Sequence, residues 1–401
     1  MPISWQRKTK EDDAPPSPSW YAFAVSYVDS KWSYVSANHR RGIAEALTDA
    51  TEVLLIDVDK TAPSREEIRA ALRWAYSDRA RDPDAPPPAG LVETVTWLDQ
   101  HTVPMSAFED PKEAARLARA VLDRISRKKN GKMAAANTAN RKRMALNNAM
   151  GYAQEITPLI GNPLKAVKWT KPRLLTTVDP RVVINVEQAR RFLSAVHKHS
   201  QRGERMKAFF GCMYFAALRP EEVIDLHHAH LTELPAEPGA WGEMRLTGAS
   251  PRPGSRWTDN GRPRERRELK HRAKGDTRTV PIHPELVALL RWHLETFGTG
   301  PGGRVFIGPR GGEMTDRSYL KVFHEARAAA FTPEEAASPL MDVPYALRHA
   351  AVSTWLNAAV PAPQVAEWAG HSVDVLLKVY AKCIHGQQNE AMRRIWTATQ
   401  P

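Results

Sequence analysis

Cysteine is almost missing from this chain. Its two, Cys212 and Cys383, lie far apart in apolar, helix-like contexts. That excludes a disulfide framework or a Cys-x-x-Cys zinc or redox spacing, and it suits a reducing cytosol. Long apolar runs are missing too: no stretch approaches the roughly eighteen apolar residues a membrane-spanning helix needs. The opening "MPISWQRKTKEDDAPPSPSW" is charged and proline-broken where a secretory signal would carry an apolar core. There is no internal repeat. Acidic residues are in the minority, 45 Asp and Glu against 57 Lys and Arg, for a net charge of +12. These absences leave a soluble cytoplasmic protein whose expected partner is a polyanion, most often nucleic acid.

What is present is helical periodicity, in a chain of 401 residues that has room for two or three domains. Residues 1–19 read as a flexible lead, and 20–168 as an all-helical domain. In "PKEAARLARAVLDRISRKKNGK", Ala114, Leu117, Ala118, Val121, Leu122 and Ile125 recur at intervals of three and four, the signature of one buried helix face. The next helix, about 135–155, is expected to bury Ala139, Leu146, Ala149, Met150 and Ala153. At the junction of these helices stand Lys128, Lys129 and Lys132, then Arg141, Lys142 and Arg143, with no acidic residue among them. A solvated face explains many such runs, but one sign of charge at one junction favours an edge that contacts phosphates.

Residues 169–185, with two prolines and little periodicity, read as a linker. Helices follow with Ala189, Phe192, Leu193 and Val196, then with Met206, Phe209, Phe210, Met213 and Tyr214. "EMRLTG" is a strand candidate. "PRPGSRWTDNGRPRER" has no core-forming pattern and reads as a mobile basic loop. "RRELK" and "TRTVPIH" flank the turn "HRAKGD" and predict a hairpin, after which helices resume to the end.

Four short segments carry the chemistry. "ALRPEEV" presents Arg219 and Glu222, and the hairpin presents Lys270 and Lys274. "YALRHAAVSTWL" presents Tyr345, Arg348 and His349, and "AGHSVDVLLKVY" presents His371 and Tyr380. Singly, each has a structural explanation: an arginine at a helix end, an exposed strand lysine, a capping histidine, a core tyrosine. Together and in this order they resemble the tyrosine recombinase (phage integrase) family, specifically over about 205–385 and more loosely over 20–170.

The resemblance implies a mainly helical protein with a small β-sheet. A SAM-like helical core-binding domain at 20–168 would precede a mixed α+β catalytic domain at 186–396, the two clamping duplex DNA. Arg219 and Arg348 would cradle the scissile phosphate, a task suited to permanently charged planar forks. Tyr380 would be the nucleophile, forming a 3′-phosphotyrosyl bond that keeps the phosphodiester energy for rejoining. His371 would donate to a non-bridging oxygen, and Glu222 would brace the site. A hairpin lysine, Lys270 in preference to Lys274, would protonate the leaving 5′-oxygen. No metal or other cofactor is implied.

One departure is plain. The family has His-x-x-Arg where this chain has Tyr345 ahead of Arg348, and a phenol is a poor proton acceptor at neutral pH. His349, one residue out of register, is expected to be structural. His227, His228 and His230 lack companions at metal-ligand spacing and read as a helix-end cluster.

The expected job is site-specific recombination at attachment sites in a prokaryotic nucleoid, by a homotetramer acting through a Holliday junction, with a possible directionality factor. Ala391, Met392, Ile395 and Trp396 line one side of a last helix that would dock on a neighbouring protomer or on its own domain. The integrase of a mobile element leads over a chromosome or plasmid dimer resolvase, because the large first domain and the basic insertion at 251–265 depart from a compact resolvase plan. A non-catalytic DNA-binding regulator on the same scaffold is the rival from another class, supported by Tyr345 alone. A type IB topoisomerase-like relaxase shares the chemistry but would need no defined target.

Overall fold

The computed structural model describes residues 17–82, 84–173, 177–269, 273, 275–383 and 387–400. The chain is mostly helical with one small antiparallel sheet. It divides into two compact units, Met1–Leu174 with Arg252–Glu265, and Leu175–Pro251 with Arg266–Pro401. No helix among the described residues is long and apolar enough to cross a membrane.

The first unit is built from α1 (Trp20–Trp32), α2 (Ala37–Thr51), α3 (Arg65–Ala75), α4 (Val92–Gln100), α5 (Pro111–Ile125), α6 (Ala136–Ile156) and the short α7 (Pro163–Ala166). Local chemistry sets the helix starts. Asp110 accepts from Lys112 N at 3.0 Å and Glu113 N at 2.8 Å, with Pro111 in the first turn of α5. All six apolar positions expected on α5 are buried, as are the five on α6.

Beneath them sits a buried ionic cluster that periodicity does not reveal. Asp49 pairs with Arg124 at 2.7 Å and with Lys142, while Glu52 pairs with Arg65 at 2.8 Å, with Arg124 at 2.9 Å and with Arg69. Burial alone would raise the Glu52 pKa. The hydrogen bonds from Arg65, Arg69 and Arg124 outweigh it and hold the carboxyl at about 2.

The insertion expected as a mobile loop is instead packed into this unit. Trp257 joins the apolar core. Arg40, buried and stacked on Trp32, donates to Asp259 at 2.6 Å and to the Trp257 carbonyl at 2.9 Å, and Asp78 N bonds the Arg256 carbonyl at 2.9 Å. One aromatic and one acid inside a Pro/Gly/Arg-rich stretch are enough to anchor it, a signal that composition hides. Trp257→Ala is expected to lower stability by about 3 kcal/mol. Urea unfolding of the full chain is the measurement, and an unchanged midpoint would return the segment to the status of a loose loop.

The second unit has α8 (Val186–His199), α9 (Gln201–Phe215), α10 (Pro220–Ile224), β1 (Leu231–Glu233), β2 (Gly242–Leu246), β3 (Arg278–Ile282), α11 (Pro284–Phe297), α12 (Asp316–Ala330), α13 (Pro333–Ala337), α14 (Tyr345–Asn357), α15 (Ala362–Ala369), α16 (Val373–Tyr380) and α17 (Gln387–Ala398). α9 is central, with Phe209 and Phe210 fully buried and α8, α11, α12 and α14 packed on it.

The sheet corrects one expectation. β3 pairs antiparallel with β2 in the register Met244↔Val280, and the sheet order is β1-β2-β3. "RRELK" is therefore not the partner of "TRTVPIH": Arg267 bridges Ala249 instead. The true pairing buries Met244, Leu246, Val280 and Ile282 on one face, an advantage "RRELK" cannot match.

Candidate active site

α9 is capped by Ala216, and the chain turns through Ala217, a non-glycine residue at φ +51°. Arg219 then caps α10, with Pro220 at its first position. Glu222 turns back to accept the Arg219 backbone N–H on Oε2 at 2.8 Å, the arrangement "RPEE" favours at a helix start.

Glu222 is almost wholly buried and fully hydrogen-bonded. Its Oε1 accepts from Arg219 Nη1 at 2.7 Å and Arg278 Nη1 at 2.9 Å, and its Oε2 accepts from Arg278 Nη2 at 2.8 Å. Burial pushes this carboxyl up. Arg278 and Arg219 more than reverse that and hold it well below the usual carboxylate range.

Arg278 was not singled out from the sequence. It opens β3, and the alternation Arg278, Val280, Ile282 turns it inward with the core residues. An inward charge at a strand start, out of keeping with its apolar neighbours, is the signal that would have found it.

Arg348 lies on α14 and has no solvent exposure. It donates to the carbonyls of Ala217 and Ala369, and to His371 Nε2 at 2.9 Å. Arg219 Nη2 reaches the Gly370 carbonyl at 2.9 Å. The two arginines thus converge on three consecutive residues, 369–371. Gly370 is required there: it caps α15 at φ +64°, and a Cβ would sit 2.3 Å from Arg278 Nη1.

A guanidinium can only donate, so Nε2 of His371 is the acceptor and Nδ1 carries the hydrogen. That Nδ1 is buried with no partner among the described residues, and so is Arg348 Nε. Burial, then Arg348, Arg219 and Arg278, lower the His371 pKa to about 3, leaving a neutral ring at pH 7. The site therefore gathers three guanidinium groups, one carboxylate and an orphan N–H donor: a surplus of positive charge fit for a phosphate.

Tyr380 ends α16 and is fully buried, its ring 6.1 Å from that of His371. Burial raises its pKa above the ordinary phenol value, an effect that Arg348 only partly offsets. Its hydroxyl lies 2.9 Å from Nδ1 of His349. His349, expected to be structural, is the residue that lies against the Tyr380 hydroxyl. Residue register hid this, because the contact depends on how α14 and α16 cross. Tyr345 packs edge-on against His349 at 5.0 Å and lies 5.9 Å from the Arg348 guanidinium. The Val379 carbonyl accepts from Val178 N at 2.7 Å, pinning the segment that precedes α8 to the tyrosine helix.

No protein-family model matches the sequence, and no curated protein matches it. Solved structures do match. The Tn1549 transposon integrase in complex with a circular-intermediate DNA matches over 95% of this chain and 100% of its own, at a TM-score of 0.57 and 15% identity. The same integrase with transposon right-end DNA matches over 95% of this chain and 99% of its own, at a TM-score of 0.57 and 14% identity. The fold is that of the tyrosine recombinases.

Within this recombinase fold, Arg219, Glu222, Tyr345, Arg348, His371 and Tyr380 come together in the second unit, joined by Arg278 and His349. Lys270 and Lys274 lie outside the described residues. His227 and His230 spend ring nitrogens on the Gly302 carbonyl at 2.9 Å, the His227 N–H at 3.2 Å and the Thr247 hydroxyl at 3.0 Å. In the first unit the basic junction separates into two kinds of residue. Lys128, Lys129, Lys132 and Arg141 are exposed, the lysines on a tight turn closed by Lys128 N to Lys132 O at 2.7 Å. Lys142 is held by Asp49, and Arg143 bonds the Leu164 carbonyl and stacks on Trp169, so these two brace the unit.

Proposed function

We propose that this protein is a site-specific DNA recombinase, the integrase of a mobile element, that cuts and rejoins DNA through a 3′-phosphotyrosyl intermediate. The observation that carries the reading is the convergence of Arg219, Arg348 and His371 beside the buried Tyr380 hydroxyl. A shared fold with an integrase whose structures hold transposon DNA supports the class of substrate.

In this reading the phosphodiester enters on the Arg219 side, the one guanidinium of the three with appreciable exposure. Arg219 and Arg348 neutralise the charge that builds on the phosphate, and His371 Nδ1–H donates to a non-bridging oxygen. Such fixed donors are each worth about 3–4 kcal/mol in a transition state. Tyr380 attacks phosphorus, the P–O5′ bond breaks, and the leaving oxygen takes a proton from Lys270 or Lys274. Attack by a 5′-hydroxyl reverses the step and reseals a strand. Glu222 keeps Arg219 and Arg278 in place. The reaction as written uses neither metal nor ATP.

Strand exchange between two duplexes calls for four protomers passing through a Holliday junction. On α17, Met392, Ile395 and Trp396 are exposed, a face suited to a neighbouring copy. Lys128, Lys129, Lys132 and Arg141 would grip the backbone of the attachment site. Replacing the three lysines with alanine is expected to weaken DNA binding and to lower the slope of log affinity against log salt by about three. A salt titration of binding reads this, and an unchanged slope would move the DNA surface elsewhere.

The test of the reading is trapping. A pool of nicked duplexes of randomised sequence is incubated with the protein in EDTA, and adducts that survive SDS are recovered and sequenced. Covalent DNA on the peptide that contains Tyr380, carried by a common duplex sequence, is the expected result. DNA binding without any adduct would favour the non-catalytic regulator. Adducts on every sequence would favour a relaxase.

A further inference from the structure

The Tyr380 hydroxyl has one hydrogen-bond partner among the described residues, Nδ1 of His349 at 2.9 Å. We propose that His349 is the general base of strand cleavage, taking the Tyr380 proton as the phenolic oxygen attacks phosphorus. This rests on the recombinase reading and adds to it the proton acceptor that Tyr345 cannot supply.

Three observations support the assignment. A heavy-atom separation of 2.9 Å is within direct proton-transfer reach, and no rearrangement is needed to create it. The ring is held on two sides, by its place on α14 next to Arg348 and by the edge-on ring of Tyr345 at 5.0 Å. The competing histidine is already committed: His371 gives its Nε2 lone pair to Arg348. Burial and the adjacent Arg348 hold His349 at a pKa of about 4. The ring is thus neutral at pH 7, and as general base it carries its hydrogen on Nε2 and turns the Nδ1 lone pair to the Tyr380 hydroxyl. At rest this weak base leaves Tyr380 a phenol. When a phosphate gains negative charge beside it, the imidazolium becomes the favoured partner of that charge.

The step balances. The Tyr380 O–H bond breaks and the electron pair on its oxygen forms the bond to phosphorus, while the proton moves to His349 Nδ1. The P–O5′ bond breaks, and the departing oxygen is protonated by a lysine ammonium or by water. In rejoining, the imidazolium returns its proton to the departing phenolate.

The experiment measures single-turnover adduct formation on the nicked duplex recovered in the trapping experiment. His349→Ala and His349→Asn are compared with the unaltered protein, each with and without millimolar imidazole. Both variants are expected to bind the duplex with unchanged affinity and to form adduct about a hundredfold more slowly. Imidazole is expected to restore much of the rate to His349→Ala, where it can occupy the vacated space. His349→Asn keeps the side chain polar and of similar size, which guards against a mere folding defect. Adduct formation at the unaltered rate in either variant overturns the assignment. So does a loss in His349→Ala that imidazole leaves untouched although DNA affinity is intact. Absence of adduct from the unaltered protein is a different result, and it removes the recombinase reading itself.

Discussion

Tyr380→Phe is expected to abolish the SDS-resistant adduct while leaving DNA affinity intact. The ring fills a fully buried site on α16, and phenylalanine keeps that volume in the core shared with Val178, Ala366 and Leu376. What is lost is one hydroxyl and its hydrogen bond to His349, so stability should change by only about 1 kcal/mol. The chemistry, by contrast, loses its nucleophile outright. An ordinary phenol is already about 4 kcal/mol from ionisation at pH 7, and burial pushes Tyr380 further from it. No spontaneous phenolate is waiting in the resting protein. Attack must be coupled to proton removal and to charge neutralisation on the phosphate. The alternative phenol is Tyr345, half-buried and packed on His349. An adduct that survives in Tyr380→Phe and disappears in Tyr345→Phe would transfer the nucleophile to α14.

Glu222→Ala is the second large effect, and it is structural before it is catalytic. Glu222 accepts four hydrogen bonds from Arg219 and Arg278. Removing it leaves Arg278, almost without exposure, as an unpaired buried cation beside the fully buried Arg348. Breaking a buried ion pair from one side costs about 3–5 kcal/mol. Arg219 also loses the anchor that aims it, so adduct formation should fall by about a hundredfold or more.

Acidity should mimic the mutation. The folded-state carboxyl is held below its unfolded value, so its stabilisation is complete above the ordinary carboxylate pKa. It drains away as pH falls from there toward the depressed value. Chemical denaturation of Glu222→Ala and Glu222→Gln across that range is the measurement. A Glu222→Gln protein with undiminished stability and rate would show that the carboxylate's charge is dispensable.

How much of this was legible in the sequence depended on the range of the interaction involved. The α5 and α6 cores could be read because they follow from a repeat of three and four residues within one helix. The "RPEE" helix start was legible for the same reason, since Pro220 and Glu222 act within one turn. The pairing of Arg278 was not legible, because its partner Glu222 is 56 positions away and the two meet only across a strand and a helix. Nor was the insertion, whose anchor Trp257 finds its core in the first unit rather than near its own neighbours in sequence. Lys142 and Arg143 looked like their basic neighbours, but Asp49 and Trp169 claim them.

The sequence alone determined which reactive groups this protein owns: two motif arginines, a Gly-His pair and a tyrosine, in a fixed order along a basic, helical chain. In that order they resemble the tyrosine recombinase family, and the resemblance was enough to expect the fold. Only the tertiary structure decided which histidine touches the tyrosine. Arg348 and His349 are adjacent on α14, and the crossing of α14 with α15 and α16 turns one toward His371 and the other toward Tyr380. That choice is made by packing between segments distant in sequence, where no periodicity reaches.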